Sequence, residues 1–228
     1  MAELLISNGC DIDAADGSGF RPLMIASSLG HLEFVECLLE NGAKVDSPGY
    51  QGATALHFAA WRNHLAVVRA LLKAGARAHR RELTFGAPTH LASLAGAHDV
   101  VQILLDDGAH ASSTALYLAA LHGHSKTAQL LLERGAPANA RTILELTILD
   151  IAAASGLSSV CSVLVEWGAS FSASAQDCQG RNILHLSAAS GSLPAVEMIL
   201  KKYPQLDPSL RDRDGWTALH WAVKMGRE

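Results

Sequence analysis

Eleven histidines and four cysteines are the side chains of this 228-residue chain best suited to metal binding, acid–base work or nucleophilic attack. Their spacing argues against each. Cys10, Cys37, Cys161 and Cys178 lie far apart in the chain, so there is no CxxC pair and no dense framework for disulfides or zinc. A reducing compartment, cytoplasmic or nuclear, is therefore expected. His122-Gly123-His124 could chelate a metal, but a glycine at a helix end would turn the rings apart. The chain has no GxSxG elbow, no HExxH and no glycine-rich phosphate loop, since Lys126-Thr127 follows Ser125 where such a loop requires glycine. No catalytic residue, cofactor or metal site is assigned.

What positions these residues is a folded chain. With 49% hydrophobic residues and a net charge of −4 it is too apolar and too weakly charged to be disordered. Only 5% are aromatic, so small and aliphatic side chains must fill the core. The longest uncharged hydrophobic run, Ile151 to Val165, is broken by Gly156 and several serines, and no basic-then-apolar leader opens the chain. Neither a signal peptide nor direct membrane insertion is expected.

Self-similarity at a fixed period organises the whole chain. Leu38-Leu39 with Gly42-Ala43 recurs as Leu71-Leu72 with Gly75-Ala76 and as Leu104-Leu105 with Gly108-Ala109, at one constant interval. It recurs again at Leu131-Leu132 after a shorter interval and at Leu164-Val165 after the full one. Upstream stand Arg21-Pro-Leu-Met, Thr54-Ala-Leu-His, Ala87-Pro-Thr-His, Thr114-Ala-Leu-Tyr, Thr147-Ile-Leu-Asp, Asn182-Ile-Leu-His and Thr217-Ala-Leu-His. Between the two lies a third element, Gly30-His31, Asn63-His64, Gly96-Ala97, Gly123-His124, Gly156-Leu157 and Gly191-Ser192.

Each element has a physical reading. Thr54 precedes an apolar-periodic run, where its hydroxyl can cap the first amides of a helix A, and Ala59 and Ala60 let neighbouring helices approach. The Gly or Asn that follows can take the positive φ that ends a helix. A helix B follows, with Leu32, Val35, Leu38 and Leu39 spaced for one apolar stripe. One such pair cannot bury both its faces, so units must stack.

The pattern resembles the ankyrin repeat family, whose unit of about 33 residues is a β-turn and two antiparallel helices. The resemblance implies an all-α fold, an α-solenoid of stacked repeats in a single domain over 1–228. Repeats are expected at 19–51, 52–84, 85–111, 112–144, 145–179 and 180–214, with partial repeats at 1–18 and 215–228. With no polar capping repeat at either end, a segment of a longer array or multidomain protein is expected. The shortened interval between Leu104 and Leu131 removes the hairpin near residue 111. Phe85, standing where Gly19, Gly52, Gly180 and Gly215 stand, predicts an irregular turn. Family resemblance also implies that His57, His90, His185 and His220, with His31, His64 and His124, make structural hydrogen bonds to neighbouring backbone. Column alignment buries Cys37, Cys161, Phe58 and Trp221, leaves Cys178 exposed at a tip, and puts Trp167 at the fringe of a helix-B exit turn.

In this family partners dock in a groove lined by hairpin tips and the exposed side of helix A. Carried over by position, the tips give Phe20, Tyr50, Gln51, Leu83, Thr84, Arg181, Arg213 and Trp216, and helix A gives Trp61, Arg62, Leu94, Leu121 and His122. Exposed aromatics and leucines flanked by arginine are the chemistry of an interface anchor. The alternative is that they fill gaps between adjacent helices A. Charge is banded: residues 1–46 carry eight acids and two bases, residues 47–81 six bases and no acid, and residues 82–110 four acids and no base. The basic band (Arg62, Arg69, Lys73, Arg77, Arg80, Arg81) could steer an acidic peptide, with Arg62 best placed, or be a solvated face. Acidic flanks make nucleic acid an unsuitable partner.

The expected function is non-catalytic protein–protein interaction by a monomer, with a peptide segment or domain surface held in the groove. The alternatives are a regulatory or substrate-recruiting part of a larger multidomain enzyme, or a structural spacer.

Overall fold

The computed structural model describes residues 2–80, 86–142, 146–170 and 176–226. The described helices fall into two compact units, Met1–Ala111 and Ser112–Glu228. The first holds α1 (Ala2–Ser7), α2 (Pro22–Leu29), α3 (Leu32–Glu40), α4 (Ala55–Trp61), α5 (Leu65–Lys73), α6 (Pro88–Leu94) and α7 (His98–Asp106). In the second are α8 (Ser113–Leu121), α9 (Ser125–Glu133), α10 (Ile148–Ala154), α11 (Ser158–Glu166), α12 (Ile183–Ser190), α13 (Leu193–Lys202) and α14 (Ala218–Lys224). One antiparallel bridge, Arg141 to Thr147, and no strand is found among the described residues.

Within each unit, A helices stack on A and B on B. In the first, α2 packs on α4 and α4 on α6, while α1, α3, α5 and α7 form the second layer. The second unit repeats the arrangement with α8, α10, α12 and α14 over α9, α11 and α13. Leu56, Leu71 and Leu104 fill the core of the first; Leu116, Leu131, Leu149 and Leu164 fill that of the second. Ala59, Ala92, Ala119 and Ala152 have no exposed surface, as expected of residues chosen to bring backbones close.

Histidine ties several A helices to their own start and, at His57 and His185, to the next repeat. His57 Nδ1 accepts the Thr54 N–H at 3.1 Å, which leaves the proton on Nε2 to donate to the Gly86 carbonyl at 3.1 Å. His185 does the same between Asn182 and the carbonyls of Leu210 and Trp216. His64 Nε2 reaches back to the Ser28 carbonyl at 3.0 Å. Side-chain capping of helix amides is seen where Thr147 accepts from Asp150 N–H and Asn182 from Leu184 and His185 N–H. At Thr54 and Thr217 the hydroxyl instead meets the imidazole, whose lone pair competes for it. α8 also departs from expectation: its cap is Ser112, two residues before Thr114, because the shortened junction supplies serines ahead of the threonine.

Positive φ occurs where helix A ends, at Gly30 (76°) and at Asn63 (58°). Gly30 has a second constraint, since a Cβ there would stand 2.6 Å from the His64 ring. Cys161 is buried as expected, and burial pushes its thiol up to about 12. Cys37 is only half-buried, because its column lies at the edge of the helix-B stripe, where Ile103 is half-buried too. Phe85 lies outside the described residues, and with it the turn expected to be irregular.

Asp150 takes the histidine position in α10, as Met24 does in α2 and Tyr117 in α8. It is buried, and Oδ2 accepts from both the Thr147 N–H and hydroxyl at 2.8 Å. Desolvation by burial raises its pKa, against the lowering effect of those bonds and of Arg141. The folded state therefore favours the protonated acid, so its ionisation costs stability at neutral pH, and that cost fades as pH falls through the folded pKa.

Two expectations follow. Gly42→Ala, at φ 89° with open space around it, should cost about 1 kcal/mol through φ alone. Gly30→Ala should cost about 1 kcal/mol more by displacing the His64 ring from Ser28; urea unfolding of both variants measures the difference, and equal losses would show that the ring is not constrained. Asp150→Asn keeps the acceptor for Thr147 without the charge, so it should raise the melting temperature more at pH 7 than at pH 4. Thermal melts at the two pH values check this, and a gain independent of pH would rule out the ionisation cost.

Candidate functional site

In the first unit Trp61 and Arg62 stand at the end of α4. Trp61 is 43% exposed, and the Arg62 guanidinium lies over its ring, 4.8 Å from the centroid. Leu29 and Ala95, at the ends of the flanking helices α2 and α6, are exposed, and Leu94 is half-buried. A cation held on an indole face keeps its charge available while covering apolar surface. Phe20 is engaged otherwise: its ring packs on Phe58, 5.4 Å away, and both belong to the seam between repeats. Gln51 is exposed in the 3-10 turn Tyr50–Gly52 at φ 51°, a left-handed conformation. The Tyr50 side chain, Leu83, Thr84 and Arg81 lie outside the described residues.

Two members of the basic band are held by structure. Asp46 accepts from Arg77 N–H at 3.2 Å and pairs with its guanidinium at 3.1 Å, while Arg80 donates to the Asp46 carbonyl at 2.7 Å. Arg69 shares a shallow cavity with Asp106 and Asp107. The Asp46 contact belongs to a series that sequence reasoning missed. Asp13 accepts from Lys44 N–H and Asn139 from Ser170 N–H, each one repeat further on, and the readable signal was an acid or amide four residues after the Gly that ends helix B.

In the second unit Leu121 is half-buried, and the exposed His122 ring stacks on His124 at 6.3 Å and 19°. The glycine thus leaves the two rings side by side, not turned apart, because positive φ at Gly123 keeps both residues on one side of the helix end. No group of three potential ligands is placed to hold a metal ion among the described residues. Arg181 grips Asp177 at 2.6 and 2.7 Å and lies over Trp221, 5.0 Å from the centroid. Arg213 donates to the Cys178 carbonyl at 2.8 Å. Trp216 sits 5.5 Å from Trp221, with the Lys224 ammonium 4.7 Å from both rings. Trp221, expected in the core, is half-buried; Asp212 holds its indole N–H at 2.8 Å, and two cations cover its faces. The spacing of Trp216, Trp221 and Lys224 was the available signal for this cluster.

Acids also close the tips. Asp212 Oδ1 accepts from Asp214 and Trp216 N–H, and Asp177 Oδ1 from Gln179 and Arg181 N–H. Burial works to raise both carboxyls, but the bonds they accept outweigh it and hold them below the usual range. Trp167 is 45% exposed beside the end of α11, and Cys178 is exposed. No helix among the described residues is long and apolar enough to cross a membrane.

Known proteins agree with this geometry. A family model described as ankyrin repeats in three copies matches residues 1–82, 89–175 and 149–228. Two Arabidopsis thaliana proteins, calmodulin-binding transcription activators 6 and 5, are 40% and 38% identical over 52 residues, 23% of this chain. The chain spans about 6% and 5% of their lengths. The crystal structure of the human ASB11 ankyrin repeat domain matches with a TM-score of 0.78 at 24% identity, covering 89% of this chain and 92% of that one. That identity speaks for the fold alone. Ankyrin repeats are in general protein–protein interaction modules, and this chain, matched by the family model over nearly its whole length, belongs to the ankyrin repeat family.

Proposed function

We propose that the chain is a non-catalytic interaction module that holds a peptide segment or domain surface in the groove of its first unit, with Trp61 and Arg62 as the anchor. The observation that carries this reading is the exposed indole with a guanidinium stacked on it at 4.8 Å. An aromatic of this kind can be fully desolvated by a partner, and such groups dominate interface energies. Arg77 and Arg80 being committed to Asp46, Arg62 is the member of the band whose charge a ligand would meet in the groove. The favoured partner is therefore a protein segment with an apolar anchor and a neighbouring carboxylate. An intracellular setting suits the free thiols of the chain.

A second reading, that this array recruits substrate for a larger multidomain protein, draws on the curated relatives, in which the matched stretch is a small part of a long chain.

Selection from a displayed peptide library against the 228-residue chain tests the groove. The selected peptides should share an acidic residue beside an aromatic or leucine. Trp61→Ala should weaken them by about 2 kcal/mol, roughly 30-fold, and Arg62→Glu should weaken acidic peptides most, with melting temperatures unchanged. Peptides bound equally well by both variants would move the binding surface elsewhere.

A further inference from the structure

Buried polar groups without partners are concentrated in one helix pair of the first unit. The hydroxyls of Ser27, Thr89 and Ser93 and Nδ1 of His98 are buried with no hydrogen-bond partner among the described residues, and three of these four atoms belong to α6 and α7. Each such group gives up its bonds to water on burial and recovers nothing. Thr89 adds a second loss. It is 1% exposed and stands in the column that Leu23, Leu56, Leu116, Leu149 and Leu184 fill as buried leucines, so α6 buries less apolar side chain there than its counterparts. The start of α6 is weaker too. Ala87 has no side-chain oxygen to offer the first amides, whereas Ser112, Thr147 and Asn182 cap α8, α10 and α12.

In a stack, stability is the sum of what each repeat contributes and what each contact with its neighbour adds. Within the first unit α6 packs on α4 and α7 on α5, so this pair can separate without displacing α2 and α3. Burial of Val100, Val101 and Leu104 on α7 opposes the separation, as does the bond from His57 Nε2 to the Gly86 carbonyl. We infer that α6 and α7 open together as one cooperative element, ahead of α4 and α5, and that the unpaired groups of Thr89, Ser93 and His98 gain water as they do so. The opening withdraws Leu94 and Ala95, the groove positions that α6 contributes. That consequence rests on the reading of Trp61 and Arg62 as an anchor: the groove of the first unit is complete only while the pair is closed, and a partner that touches Leu94 holds it closed.

Amide hydrogen exchange of the 228-residue chain, read residue by residue, tests this. The slowest amides of α6 and of α7 should converge on one rate, about tenfold or more faster than the slowest of α4 and α5. Two variants make the test specific. Ser93→Ala removes an unpaired hydroxyl that the opening would hydrate, so it should slow exchange in both α6 and α7 by about tenfold. Thr89→Val, which keeps the shape of the side chain, should do the same and stands in should the first variant disturb packing. Ser27→Ala removes the same kind of group from α2, which stays folded in this opening, and should leave α6 and α7 unchanged. Exchange in α6 and α7 as slow as in α4 and α5, or at unrelated rates in the two helices, would overturn the inference. So would slowing of α6 and α7 by Ser27→Ala as large as that by Ser93→Ala, since the pair would then open only with the whole unit. The measurement uses no ligand: a failed peptide selection leaves it standing, and uniform protection removes the opening while leaving the anchor at Trp61.

Discussion

A pair of short helices joined by a turn has two apolar flanks and no third element to cover either. Helices of two or three turns, as here, are too short to be stable alone in water, so packing between repeats decides whether they form. The rest of the architecture follows from that constraint. Alanines with no exposed surface let A helices approach, and leucines of helix B close the core beneath them. Polar groups at each seam must then be satisfied across repeats, because burial without a partner costs more than the bond returns. The imidazole of His57 meets this need twice, accepting from its own helix start and donating to the next turn. Asp13, Asp46 and Asn139 do comparable work at the opposite end of three repeats, each accepting from backbone one repeat further on.

Much of this was legible because the constraint repeats. The constant interval located the helix pairs, the Gly or Asn between them foretold the positive φ at Gly30 and Asn63, and the histidine column foretold bonds to neighbouring backbone. What escaped depends on which partner a side chain meets a whole repeat away. Only the structure shows Arg77 paired with the Asp46 carboxylate and Arg80 bound to the Asp46 carbonyl, so one acid holds two members of the basic band. Phe20 reads as an exposed tip until Phe58 is found beneath it. Trp221 aligns with core positions, but it is half-buried, with Arg181 and Lys224 against its ring.

The same comparison separates two kinds of aromatic surface. Trp216 and Trp221 are braced by each other, by cations and by Asp212, so their faces are largely spoken for within the second unit. Trp61 has its cation from its own neighbour, Arg62. An anchor for a partner must be held firmly enough to limit its entropy loss yet keep area to bury. Trp61 keeps exposed area with one cation on its ring, whereas Trp216 and Trp221 are half-buried.

Asp150 shows which half of the histidine's role the fold requires. Its carboxylate keeps the inward part, accepting from the Thr147 N–H and hydroxyl, and α10 starts where the repeat demands. The outward donation to a following carbonyl is lost whenever the acid is ionised, and α10 still packs on α12. Desolvation pushes the group toward the protonated form, the state that would restore a donor. The cap at the helix start is therefore the stricter requirement, and the bond between repeats is a reinforcement that burial of the apolar flanks can replace.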